Sequence, residues 1–66
     1  MSERIRLKGL VEHWAEHNEE HRKRFEESAD DAYRMGLEDV ADSLRSAALK
    51  ASEVTEQLRK ALKALY

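Results

Sequence analysis

The chain of 66 residues contains no cysteine and no proline, only two glycines, and four aromatic side chains: Trp14, Phe25, Tyr33 and Tyr66. The first absence excludes disulfide staples, thiolate metal sites and cysteine nucleophiles, and makes a cytoplasmic setting the expectation. The second leaves Gly9 and Gly36 as the strongest candidate helix breakers. Apolar residues never run for the ~20 positions needed to span a bilayer. The opening Met-Ser-Glu-Arg-Ile-Arg also lacks the apolar centre of a secretion signal, so no membrane association is expected. An excess of one charge is missing as well: 12 Lys and Arg stand against 14 Asp and Glu, a formal net charge of −2. Without a basic face, no nucleic-acid partner is expected. The one basic cluster, Arg22-Lys23-Arg24, lies among Glu19, Glu20, Glu26 and Glu27, which can neutralise it within one helix.

What remains is a helical sequence. No apolar/polar alternation supports a strand, so the fold class is all-α. Gly36 follows Arg34 and precedes Leu37, the order of a Schellman helix ending. A single domain over residues 1–66 follows, with one helix at about 5–35, a turn at Gly36-Leu37 and a second helix at about 38–65. Gly9 weakens the first helix by up to ~1 kcal/mol relative to alanine, so its opening is expected to fray or bend. Spacings of three and four predict a buried stripe of Leu7, Leu10, Val11, Trp14, Asn18, His21, Phe25, Ala29 and Ala32 on the first helix. On the second helix they select Leu37, Val40, Ala41, Leu44, Ala47, Ala48, Ala51, Val54, Leu58, Ala61, Leu62 and Leu65. The small residues midway along that helix leave room for larger side chains opposite. Two short helices share one mutual seam, and stripes this wide overrun it. The expected arrangement is an antiparallel two-helix hairpin that dimerises into a homodimeric four-helix bundle.

The chemistry is concentrated in His13-Trp14-Ala15-Glu16-His17-Asn18-Glu19-Glu20-His21, which holds all three histidines of the chain at steps of four. Such steps place side chains on neighbouring turns of one helical face. At 100° per residue, His21 and Asn18 fall near the middle of the apolar stripe, His17 at its edge and His13 beyond it. His21 is therefore expected to be the most buried of the three and His13 largely exposed. His13 and His21 stand ~12 Å apart along the axis, so only the neighbouring pairs can chelate one ion. A four-coordinate site needs further ligands from Glu56 or Ser52, or from His17 and His21 of a second chain. The competing reading is structural: a buried histidine bonded to Asn18, Thr55, a carboxylate or water fixes register without binding metal.

Catalytic readings have less support. His-x-x-Glu-His occurs twice, at His13 to His17 and at His17 to His21, the spacing of inverzincin peptidases, but no third ligand or substrate cleft accompanies it. No glutamate stands three residues before a histidine, as di-iron bundles require. The acidic residues Glu26, Glu27, Asp30 and Asp31 lack the spacing and central glycine of a calcium loop. Trp14 and Phe25 read as core.

The pattern His13-Trp14-x-x-His17-Asn18-x-x-His21, followed by Phe25, Gly36-Leu37-Glu38-Asp39-Val40-Ala41 and an alanine-rich second helix, resembles a small helical-hairpin domain of archaea and bacteria whose function is unassigned. The resemblance runs from about Leu7 to Leu65. It implies that Trp14, His17, Asn18 and His21 belong to a recurring pattern and implies no activity.

The expected function is that of a non-enzymatic, cytoplasmic, dimeric bundle that holds a transition metal (zinc, nickel, copper or cobalt) through His17 and His21 with His13 accessory. Storage, sensing or an accessory role would suit it. The alternative is an interaction scaffold whose histidines pack the seam and confer a pH response.

Overall fold

The computed structural model describes residues 2–66 as two α-helices, α1 (Ser2–Arg34) and α2 (Glu38–Leu65), packed as an antiparallel hairpin. Among the described residues there is no strand. A helix of this length rises ~50 Å, and the hairpin measures 53 × 13 × 11 Å. The rod is therefore one helix long and two helices wide.

The turn follows from its sequence. Gly36 takes φ 80°, a left-handed conformation that costs glycine nothing and a side-chain-bearing residue about 1–2 kcal/mol. This lets Leu37 N–H donate to Ala32 O at 2.9 Å and Gly36 N–H to Tyr33 O at 3.0 Å. These two bonds are the Schellman pair. Arg34 forms an ion pair with Asp31 in the last turn. No side chain caps the start of α2 at Leu37, but Glu38 and Asp39 set two carboxylates against its positive end. Gly9, by contrast, does not interrupt α1, which runs through it.

Burial follows a heptad in both helices. In α1 the inward line is Lys8, Val11, Ala15, Asn18, Arg22, Phe25, Ala29 and Ala32; in α2 it is Ala41, Leu44, Ala48, Ala51, Thr55, Leu58, Leu62 and Leu65. The fully buried members are alanines, Val11 and Thr55, and no large side chain is fully buried. Small residues let the two backbones approach closely, and the larger ones fill the flanks.

The first-helix stripe read from the sequence is thus corrected by about one position. Val11, Ala29 and Ala32 are buried and Asn18 and Phe25 half-buried, as expected. Leu7, Leu10, Trp14 and His21 instead lie outside the seam, while Ala15 and Arg22 enter it. On α2, Leu37, Val40, Val54 and Ala61 are exposed and Thr55 takes a buried place. The hairpin seam is narrower than the apolar surface the sequence supplies, and α2 docks against the small-residue line.

Polar contacts fix the register along the rod. Asn18 Nδ2 donates to Ala51 O at 2.5 Å and to Thr55 Oγ1 at 2.8 Å. This sets Asn18 level with the turn between those two residues. At the open end Arg4 Nε–H donates to Leu65 O at 3.2 Å, and the Lys8 ammonium lies 3.6 Å from the Tyr66 ring centre. Near the turn, Arg45 reaches Asp30 at 3.4 Å and stands 5.5 Å from the centre of Tyr33, which is itself exposed.

Candidate functional site

Immediately beside the buried line of α1 runs a second heptad line: Leu7, Leu10, Trp14, His17 and His21. On one flank of the hairpin its Trp14, His17 and His21 come beside Val54 and Leu58 of α2. Trp14, His17, Asn18, His21, Val54 and Leu58 line one shallow groove there. Its apolar members Trp14 and Val54 are half-open to solvent, at 47% and 49% exposed. Val54 and Leu58 continue into an adjoining apolar hollow edged by Lys50, Glu53 and Gln57. The result is an apolar patch with the His17 and His21 imidazoles beside it.

The histidines form a stack along that face. The His17 and His21 ring centres are 4.9 Å apart with planes nearly perpendicular, and His13 and His17 lie 5.6 Å apart with planes nearly parallel. His21 in turn lies over Phe25 at 6.1 Å. His13 is exposed as expected, but His21 is not buried. All three histidines are exposed in the single hairpin, because α2 lies against the Val11, Ala15, Asn18 line and leaves the His21 side open. The polar group that enters the seam is the Asn18 amide, and Thr55 hydroxyl is its partner rather than a histidine's.

Within one chain the histidines do not assemble a complete metal centre. Among the described residues, no group of three or more His, Asp or Glu side chains is placed to hold an ion. On the outer side, His13, Glu16, His17 and Glu20 line a shallow hollow. That places carboxylates beside His13 and His17. Glu56 and Ser52, weighed as extra ligands, line a groove on the other flank with Glu19, Arg22 and Thr55 and do not share the groove that holds His17 and His21.

That opposite groove has its own electrostatics. Arg22 is half-buried on the seam edge and its guanidinium contacts Glu19 at 2.6 Å and Glu26 at 2.7 Å. The hydrogen bond from Arg22 is the main cause that holds the Glu19 carboxyl below its ordinary range, with the Arg22, Arg59 and Lys23 charges adding to it. The carboxylates in turn hold the Arg22 proton more firmly. The self-neutralisation expected of this cluster is therefore present at Arg22.

Sequence reasoning named Thr55 only as a partner for a buried histidine and left it out of the buried stripe, although a signal for its place there existed. Along the strict heptad line 41, 44, 48, 51, 55, 58, 62 and 65, Thr55 is the one residue with a hydroxyl. A polar residue on an otherwise apolar line calls for a partner across the seam.

Residues 7–65 match a family described as a domain of unknown function, DUF8180. An uncharacterized protein of Archaeoglobus fulgidus is 46% identical over 57 residues, covering 86% of this chain and 90% of that protein. No solved structure matches.

Proposed function

The chain belongs to the DUF8180 family of unassigned function, and from that premise we propose that its role is self-association: a non-enzymatic hairpin that pairs with a second copy to form a four-helix bundle. The observation that carries this reading is that Trp14 and Val54, which line one groove with Leu58, His17 and His21, are half-exposed, as are Leu7, Leu10 and Val40. Scattered apolar residues are ordinary on a surface, whereas a continuous line of large ones marks an interaction site.

The area of the chain supports the same reading. A compact folded monomer of 7.7 kDa exposes about 4,300 Å² by the general scaling of area with mass. This hairpin exposes 5260 Å². The excess of roughly 900 Å² is close to the ~800 Å² per partner that a stable protein interface covers. A second copy supplies a face of matching length and chemistry, so two hairpins solve one another's exposure.

Sedimentation equilibrium tests the proposal over about 1 to 100 μM, a range in which mass action separates a dimer from a monomer. The expected mass is twice the 7.7 kDa of the chain. Val54→Glu is expected to yield single chains, since it places a charge in the shared face. Leu49→Glu, at an exposed position on the opposite side of α2, is expected to leave the dimer intact. A helical, folded species of single-chain mass throughout that range overturns the proposal.

A further inference from the structure

We infer that two copies of this chain hold one divalent transition-metal cation between four imidazoles, His17 and His21 of each. The inference rests on the self-association proposed above and adds to it the register of the two hairpins and the class of ligand.

The register comes from matching large residues to small ones. Along the flank of α2 beside the hairpin seam, an antiparallel partner can be set so that exposed Val40 lies opposite half-buried Leu65, half-buried Leu44 opposite exposed Ala61, half-buried Ala47 opposite half-buried Leu58, and seam residue Ala51 opposite exposed Val54 of the second copy. These four pairs share one centre, between Ser52 and Glu53. Three of them oppose a large residue with an alanine, the alternation that lets facing heptads interdigitate. The two-fold axis must cross α1 at the same height. The Asn18 bonds to Ala51 and Thr55 set that height close to Glu19. About Glu19, the open line of α1 pairs with itself so that His17 meets His21 of the second copy, Trp14 meets Arg24 and Leu10 meets Ser28. The centre read on α2, carried across the seam by the Asn18 bonds, thus falls midway between His17 and His21. Arg24 over an indole face is also a favourable cation–π pair.

At that axis the four histidines converge. Two imidazoles bound to one tetrahedral zinc-like ion through nitrogen at ~2.0–2.1 Å have ring centres about 5 Å apart. His17 and His21 of one hairpin stand at 4.9 Å, so each chain presents a two-ligand half-site. Two ligands on one helix make a weak site, and the second copy completes a set of four. Glu16 and Glu20 stand near the His17 side of this axis, where a carboxylate can accept the remaining ring N–H of a metal-bound imidazole. Imidazole donors suit zinc, nickel, copper and cobalt alike. The parallel alternative, with the axis along the rod, places Trp14 against Leu58 of the second copy and His17 against Val54. It opposes bulk to bulk and separates the histidine pairs.

The test has two arms on the full chain. Leu10→Cys/Ser28→Cys measures the register in a protein without native cysteine: the two positions lie ~27 Å apart along one helix, so a disulfide can form only between copies. The expected product under mild oxidation is a covalent dimer. Calorimetry with zinc and with nickel chloride at pH 7.5 measures the site, and the expected stoichiometry is one ion per two chains with Kd below about 1 μM. His17→Gln and His21→Gln are each expected to weaken binding at least ~100-fold and His13→Gln by less than about threefold, with helicity retained as the check on folding. His21→Leu is expected to keep the dimer and lose the ion. A dimer that binds neither metal tighter than ~10 μM overturns the metal site and leaves self-association standing. One ion per chain, or no cross-link between copies, overturns the shared site. A monomer overturns both proposals.

Discussion

Removing the Asn18 side chain is the most direct probe of how the hairpin keeps its register. Its amide donates to Ala51 O at 2.5 Å and to Thr55 Oγ1 at 2.8 Å, and Thr55 is only 3% exposed. Each such bond contributes about 1 kcal/mol net, and a buried group left without its partner costs a further ~1–3 kcal/mol. Asn18→Ala removes both bonds and leaves water little access to Thr55, so a loss of about 2–3 kcal/mol is expected. Thr55→Val removes only one bond and keeps the shape, so about 1 kcal/mol is expected. The two substitutions share an interaction, and their combined effect should fall short of the sum by roughly 1 kcal/mol. Asn18→Leu/Thr55→Val exchanges the polar pair for apolar packing and is expected to return to within about 1 kcal/mol of the parent. For a domain of this size, 1 kcal/mol moves Tm by about 4–8 °C. Urea and thermal unfolding followed by circular dichroism reads all four variants, at one fixed chain concentration because the proposed self-association would make stability depend on it. A loss below about 0.5 kcal/mol in Asn18→Ala, or strict additivity of the single variants within ~0.3 kcal/mol, would refute the claim that this pair joins the helices.

The two glycines should respond in opposite directions to the same added methyl group. Gly36→Ala forces a side chain into φ 80° and is expected to lower stability by about 1–2 kcal/mol, with no clash contributing. Gly9→Ala adds a methyl that meets nothing within 4 Å in a continuous helix, and a gain of up to ~1 kcal/mol in the same unfolding assay is expected. Glu19 supplies a pH prediction. Its folded pKa is depressed, chiefly by the Arg22 hydrogen bond. Its contribution is therefore present above the ordinary glutamate range and is lost as pH falls through the depressed value. Carbon-detected NMR titration of the Glu19 carboxyl should place its midpoint below that of a glutamate in an unstructured peptide, and Arg22→Gln should raise it. No difference between the parent and Arg22→Gln would contradict that assignment.

Much of this fold was readable before any coordinate. Two helices, the turn at Gly36 and the antiparallel hairpin follow from local rules: helix-forming residues throughout, and one glycine with a left-handed ending beside an apolar neighbour. The candidate site was legible in part. Steps of four place His13, His17 and His21 together whatever the helix packs against, and their rings do lie in sequence along one flank. Asn18 was recognised as a seam residue from the same spacing.

Which flank of α1 would be covered was a different kind of question. Two heptad lines run side by side, one through Val11, Ala15 and Asn18 and the other through Leu10, Trp14 and His21, and hydrophobicity alone favours the second. Packing decided for the first, since the buried residues are small, alanines at 15, 29 and 32 on α1 and at 41, 48 and 51 on α2, and allow close approach along the rod, while Trp14 would hold the helices apart. The sequence by itself determined local geometry, because each helix and its ending depend on neighbours a few positions away. The tertiary structure alone decided that the histidines and the bulky apolar residues stay open to solvent, because burial depends on how two surfaces fit.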